Sequence, residues 1–160
     1  MTIKTGDAFP DVKIMLATPS GPKETTTREL LDGKKTVLFA VPGAFTPLCS
    51  EQHLPGYVAN AGAFLDKGVD QVVCLSVNDM FVMGAWAKQS GAEGKIVMLA
   101  DGSGTLTRAL GLELDLVGRG LGMRAQRFAM VLDGMTVTYL GVEPPGGFAV
   151  SAAEQVLEQV

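Results

Sequence analysis

Two short apolar runs constrain this chain more than any other feature: Val37 to Val41 inside KKTVLFAVPG, and Gln71 to Val77, QVVCLSV. Both are too short for a helix of globular length and are rich in β-branched or aromatic side chains, so each reads as a strand buried in a sheet. Pro42 and Gly43 end the first run, because proline cannot donate to a sheet ladder. A helical pattern follows each strand: Asn60 to Leu65 after the first, and Asp79 to Gln89, carrying Trp86, after the second. Strand, helix, strand in that order implies parallel pairing through a crossover lying on the sheet, hence an α/β architecture.

Flanking segments extend the sheet. Ile3 to Pro10 reads as an arm, Val12 to Leu16 as a short strand, Ser20 to Pro22 as a turn, and Thr27 to Leu31 as a short helix stopped by Gly33. Lys95 to Leu99 supplies a third strand, Asp101 to Gly104 a turn, and Thr105 to Leu110 a helix. Arg127 to Leu132 and Met135 to Leu140 are strand-like runs about Asp133-Gly134, a strong hairpin signal. After Glu143 to Gly147, the spacing of Ala153, Val156, Leu157 and Val160 predicts a closing helix over Ser151 to Val160. The expected fold class is α/β with a mixed central β-sheet flanked by helices. At 160 residues, with no repeat or linker, one domain over residues 1–160 is expected.

A net charge of −4 gives no ground for nucleic acid or an anionic membrane as a partner. No segment approaches the roughly 20 apolar residues of a membrane-spanning helix. Two cysteines cannot build a dense disulfide framework, and free thiols suit a reducing compartment. With Asp7 and Pro10 where a leader would carry its apolar core, a cytoplasmic location is expected.

The chemistry concentrates in PGAFTPLCSEQHLPG, Pro42 to Gly56. Thr46 reads as a helix cap and Pro47 as the first helical residue, which puts Cys49 third in the helix. There the unpaired N–H groups and the positive end of the helix dipole favour a thiolate over a thiol. His53, the sole histidine, shares a helical face with Cys49. No Asp or Asn is identifiable to orient it as a base, so His53 is expected to support the pocket or to bond nearby backbone rather than to form a Cys/His dyad. Cys74, inside VVCLSV, reads as a core residue. Two cysteines and one histidine make no zinc pattern. GRGLG, Gly118 to Gly122, lacks the ending of a phosphate loop and reads as a flexible connection.

PGAFTPLCSEQHLPG resembles the active-site segment of the peroxiredoxins, in the subfamily similar to mammalian peroxiredoxin five and the plant type-two enzymes. Pro42, Thr46 and Cys49 match the pattern Pro-x-x-x-Thr-x-x-Cys. LSVND at Leu75 to Asp79, the DGSG turn, MRAQRFAMVLDG at Met123 to Gly134 and the Glu143-Pro144 pair follow in order, so the likeness spans most of the chain. The resemblance implies a thioredoxin-like fold and reduction of hydrogen peroxide and organic hydroperoxides, with no metal or organic cofactor. It implies that Cys49 attacks peroxide, Thr46 donates or relays a hydrogen bond to peroxide and thiolate, Pro42 shields the pocket, and Arg127 favours the thiolate and polarises the peroxide. Arg124 is left a supporting or surface charge. Val150 stands where the mammalian form carries its resolving cysteine, which implies an external reductant such as glutathione, glutaredoxin or thioredoxin. A homodimer is also implied, with Gly43, Phe45, Phe81 and Leu114 to Leu121 as contact candidates. The competing readings are a thiol–disulfide oxidoreductase, weakened because Thr46 stands where Cys-x-x-Cys needs a second thiol, and a non-catalytic redox sensor or chaperone-like binding protein.

Overall fold

A strand buried on both faces must find its backbone partners along both edges. In the computed structural model, which describes residues 1–160, those partners are other strands. The nine strands are β1 (Lys13–Thr18), β2 (Gly21–Thr26), β3 (Lys35–Val41), β4 (Gln71–Ser76), β5 (Val97–Ala100), β6 (Glu113–Leu116), β7 (Gly122–Ala125), β8 (Phe128–Asp133) and β9 (Thr136–Val142). Seven of them form one sheet in the order β2-β1-β5-β4-β3-β8-β9, while β6 and β7 make a separate ribbon. β3, β4 and β5 run parallel, with Phe39 opposite Cys74 and Cys74 opposite Met98. β1 and β8 join this parallel centre antiparallel on either side.

Side chains of a strand alternate between faces, and the two cores follow that alternation. Val37, Phe39 and Val41 of β3, with Val72 and Cys74 of β4, are buried on one face under Tyr57 and Phe64 of α2 (Leu54–Asp66), Trp86 of α3 (Met80–Gln89) and Val156 of α5 (Ala153–Leu157). Leu38, Ala40, Val73 and Leu75 are buried on the other face against Leu31 of α1 (Thr27–Leu31), Leu106 and Leu110 of α4 (Thr105–Leu110), and Phe9 of the N-terminal arm. This is the expected α/β architecture, a thioredoxin-like fold with its mixed sheet between helical layers.

The structure departs from the sequence reading where local signal is weak. GPKETT is a strand, though only a turn at Ser20 to Pro22 is legible there: β2 pairs with β1 from Thr18 opposite Gly21 to Lys13 opposite Thr26. It is a sheet edge, where Pro22 and charged residues are tolerated because one side needs no partner. GRGLG connects β6 to β7: a short 3₁₀ turn, Val117–Arg119, overlaps its first two residues, and its last, Gly122, opens β7, the strand that carries Arg124. The β8–β9 corner is shifted by one residue. Asp133 still pairs with Thr136, and Gly134, at φ 60, leads the turn with Met135 behind it at negative φ, the type II′ pattern. The closing helix is only Ala153–Leu157, since Ser151 is taken up by other bonds described below.

Gly141 of β9 fixes how closely the segment before α5 approaches the sheet. A Cβ there would lie 2.9 Å from the Val150 carbonyl oxygen and 3.0 Å from Val150 Cβ. The Tyr139 hydroxyl donates to that same carbonyl at 2.9 Å. Gly141→Ala is therefore expected to lower the unfolding free energy by about 1–3 kcal/mol in urea titrations, the usual cost of overpacking. Gly62→Ala, in α2 with nothing near its Cβ position, should raise it by about 0.5–1 kcal/mol. Equal effects at the two positions would contradict this packing.

Candidate active site

β3 delivers the chain to the site at Val41. The loop that follows is held by three polar side chains. The Asn78 side-chain oxygen accepts from the Ala44 N–H at 2.9 Å and from the Ser76 hydroxyl at 2.5 Å. Arg124 Nη1 donates to the carbonyls of Pro42 and Val77, both at 3.4 Å, and its Nε to Leu121 at 2.7 Å. Arg124 thus braces the loop from outside and does not bond the sulfur. Gly43 is needed for that approach, because a Cβ there would lie 2.9 Å from Arg124 Nη1. These bonds hold Phe45 at φ 65, the single non-glycine residue at positive φ, a conformation costing about 1–2 kcal/mol.

The helix starts at Pro47, so Cys49 is its third residue as the sequence suggested. Thr46 occupies the cap position, but its hydroxyl does not cap. It donates to the Gly43 carbonyl at 2.7 Å. With its proton committed there, the oxygen turns lone pairs outward and can only accept from a ligand. Cys49–His53 then forms a π-turn that runs directly into α2. Pro55 explains the widening: it has no N–H, and in a regular helix its ring would crowd the carbonyl four residues back. The helix absorbs the proline by widening one turn earlier.

Arg127 precedes β8 and points back at this turn. Its Nη2 donates to Cys49 Sγ at 3.1 Å, and its Nη1 lies 2.7 Å from His53 Nδ1. His53 Nε2 lies 3.0 Å from the Ser151 carbonyl, which also accepts from the Tyr57 hydroxyl at 2.6 Å. A carbonyl only accepts, so the ring proton sits on Nε2 and Nδ1 offers its lone pair to the guanidinium. Both ring nitrogens are used and neither meets the sulfur. The Cys/His dyad is excluded in this arrangement, and the supporting role is what the geometry provides. Burial, then the Arg127 charge, lowers the His53 pKa to about 3, against a smaller opposing effect of the Ser151 carbonyl. Phe39, Tyr57 and Phe148 pack around the ring at centroid distances of 5.0, 5.6 and 5.2 Å.

Tyr57, Phe148, Ser151 and Glu143 complete the surroundings and were not read from the sequence as site residues. Tyr57 carried a signal, since positions 49, 53 and 57 repeat at helical spacing on one face; the others reach the site only through tertiary packing. Pro42, Leu48 and Arg127 line a cleft of about 630 Å³ whose far wall includes Leu114, Leu116 and Pro144. Cys49 itself is fully buried behind it. Another hollow of about 650 Å³, between Leu16, Val58, Leu65 and Ile96, contains no thiol or imidazole. Cys74 is buried in β4 and both cysteines are free thiols. Burial, reinforced by Cys49, pushes the Cys74 pKa well up, with Arg127 acting weakly against it, so Cys74 is a poor nucleophile. Val150 is half-buried and contributes its carbonyl to Tyr139.

A thiol at a helix start, bonded by a guanidinium, on a thioredoxin-like sheet defines a class of thiol redox proteins, and the sequence matches the Redoxin family over residues 4–157. The chain is 46% identical to Peroxiredoxin-2C of Arabidopsis thaliana, covering 98% of this chain and 97% of that one. It superposes with a TM-score of 0.94 on reduced Prx3 from Vibrio vulnificus in complex with hydrogen peroxide, at 49% identity and 99% coverage of both chains. A Plasmodium falciparum antioxidant protein described as a 1-Cys peroxiredoxin superposes with a TM-score of 0.92 at 27% identity, covering 98% of each chain. The chain belongs to the peroxiredoxin family, the thiol-dependent peroxidases that work through a catalytic cysteine, among those similar to peroxiredoxin five and the plant type-two enzymes.

The neutral imidazole has a stability consequence. Unfolded, His53 titrates near about 6.5; folded, near about 3. Its contribution is fully present above the unfolded value and is lost as pH falls from there toward the folded one, because only the unfolded chain takes up the proton. In a Cys49→Ser background, urea unfolding at pH 5.5 should show about 1 kcal/mol less stability than at pH 7. With His53→Gln added, that difference should vanish; if it persists, the imidazole is not its source.

Proposed function

We propose that Cys49 is the sulfur that reduces hydrogen peroxide and organic hydroperoxides, and that an external thiol returns it to the reduced state. The Arg127 Nη2 bond to Sγ carries this reading. A charge-assisted donor at 3.1 Å is worth more to a thiolate than to a thiol, and the first amides of the helix act in the same direction. The thiolate bonds to one peroxide oxygen as the O–O bond breaks. Sulfur loses two electrons and, bonded to the OH it has taken, becomes a sulfenic acid; the departing oxygen takes the electron pair and a proton from solvent and leaves as water or alcohol. Thr46, able only to accept, orients the peroxide O–H, and Arg127 stabilises charge on the departing oxygen without reorganising. Pro42, on the cleft wall, keeps bulk water from the sulfur. No residue of this scheme requires a metal or organic cofactor.

An external thiol then attacks the sulfenic acid, releasing water and leaving a mixed disulfide. A second thiol frees Cys49 and departs as the external disulfide. Glutathione, glutaredoxin and thioredoxin are the candidate reductants. Support for an external source comes from Val150 and from a Cys74 that is buried and hard to ionise; the likeness to a chain described as a 1-Cys peroxiredoxin agrees. Homodimer formation through the exposed Phe45, Phe81 and Leu121, and a cytoplasmic setting suited to free thiols, belong to the same proposal. The thiol–disulfide oxidoreductase and the non-catalytic sensor lack a feature of their own here.

Rapid-mixing measurements should find Cys49 oxidation abolished in Cys49→Ser and slowed roughly 10²–10³-fold in Arg127→Ala, the usual effect of removing a transition-state donor. Arg127→Lys should fall between, keeping the charge without the planar fork. Unchanged rates in both Arg127 variants would remove it from the reaction. Thr46→Ser should stay near wild type while Thr46→Val falls well below it. After one equivalent of peroxide and excess glutathione, mass spectrometry should find the adduct on Cys49. A dominant Cys49–Cys74 disulfide would overturn external resolution.

A further inference from the structure

Glu143 is an unusual residue to find buried here. Its side chain is 7% exposed, yet the ion pairs of the chain lie elsewhere, at Lys4–Asp7, Lys13–Glu24 and Arg28–Asp11. One oxygen, Oε2, accepts three hydrogen bonds: from Ala149 N–H at 2.7 Å, Ser151 N–H at 2.8 Å and the Ser151 hydroxyl at 2.7 Å. Burying a carboxylate without a cation is costly, and a neutral side chain could tether a loop for less. Three donors converging on one oxygen, by contrast, is a task for which a carboxylate is the strongest acceptor among the side chains. Ser151 is the point of convergence, held at both its amide and its hydroxyl.

We propose that Glu143 is a positioning residue for the catalytic sulfur, acting through Ser151, His53 and Arg127. With its amide and hydroxyl pinned, Ser151 aims its carbonyl at His53 Nε2 and the Tyr57 hydroxyl. That carbonyl selects the Nε2–H tautomer, which leaves Nδ1 as an acceptor 2.7 Å from Arg127 Nη1. In the other tautomer, a ring N–H would face a guanidinium N–H, donor against donor, and Arg127 would be displaced from Sγ. The backbone closes the circuit: the Glu143 N–H donates to the Arg127 carbonyl at 2.9 Å. Glu143 therefore fixes Arg127 at its main chain directly and at its fork through the imidazole. Metal-bound histidines are oriented by outer carboxylates and carbonyls in the same way, and there such partners are worth about 10–100-fold in affinity or activity.

The inference rests on Arg127 serving Cys49 in peroxide reduction. Its test uses the fact that the chain contains one histidine, so a ¹⁵N spectrum of the imidazole reports a single tautomer equilibrium. Wild type should show a pure Nε2–H ring together with fast Cys49 oxidation. Glu143→Ala should mix the tautomers and slow oxidation about 10–100-fold, and Glu143→Gln, which keeps one acceptor oxygen without the charge, should fall between on both readouts. A loop-holding role alone would leave the tautomer untouched. Wild-type tautomer and rate in Glu143→Gln overturn the proposal, even if Glu143→Ala does not fold. So does a wild-type ring protonated on Nδ1 in an enzyme that still reacts fast; a wild type that reacts slowly overturns instead the peroxidase reading beneath it.

Discussion

The guanidinium of Arg127 organises this molecule. Half-buried and charged, it needs acceptors, and the structure supplies one to each terminal nitrogen: a sulfur and an imidazole nitrogen from the same helical turn. The sheet makes the meeting possible. Cys49 follows β3 and Arg127 immediately precedes β8, and these strands are antiparallel neighbours, with Ala40 opposite Phe128. Residues 78 positions apart thereby meet at one sheet end. The continuous apolar strands set the strand order, the strand order sets the clamp, and the clamp gives the sulfur a cationic hydrogen-bond donor. Removing any single partner would leave another buried polar group unpaired, which costs more than the bond itself contributes.

What could be read from the sequence follows from how far each signal reaches. β3 and β4 declare themselves by unbroken apolar runs, and α4 falls on Thr105–Leu110 as expected because its turn and stop residues are adjacent to it. Cys49 as third helical residue needed only Thr46 and Pro47. β2 could not be seen, because an edge strand is half wet and needs no apolar pattern. The π-turn was hidden because two remedies for Pro55, a break or a widening, share one sequence. Thr46 shows the limit most plainly: a hydroxyl can donate or accept, and only the position of the Gly43 carbonyl decides. The relay through Ser151 spans 98 and 94 positions to His53 and Tyr57, so no local pattern could announce it.

The complete burial of Cys49 divides the reaction into halves with opposite structural needs. Attack on peroxide is favoured by a dry, closed site, where fixed donors act at full strength. In the proposed cycle, reduction by an external thiol requires that the sulfur be reached, and an atom with no exposed surface cannot be reached until its surroundings open. The weaker contacts of the site lie at the helix start. Phe45 carries backbone strain, the Thr46 hydroxyl leaves the first amides uncapped, and the π-turn replaces regular helical bonds with poorer ones. Local opening follows such weak points. Just beyond them the structure is firm again: the Trp86 indole donates to the Ser50 hydroxyl at 3.0 Å, and His53 and Tyr57 share the Ser151 carbonyl. In the proposed cycle the product is a neutral sulfenic acid, which offers the guanidinium no negative partner. On that reading the bond that favours attack on peroxide holds the product less firmly, so the arginine proposed to promote the first half of the reaction does not oppose the second.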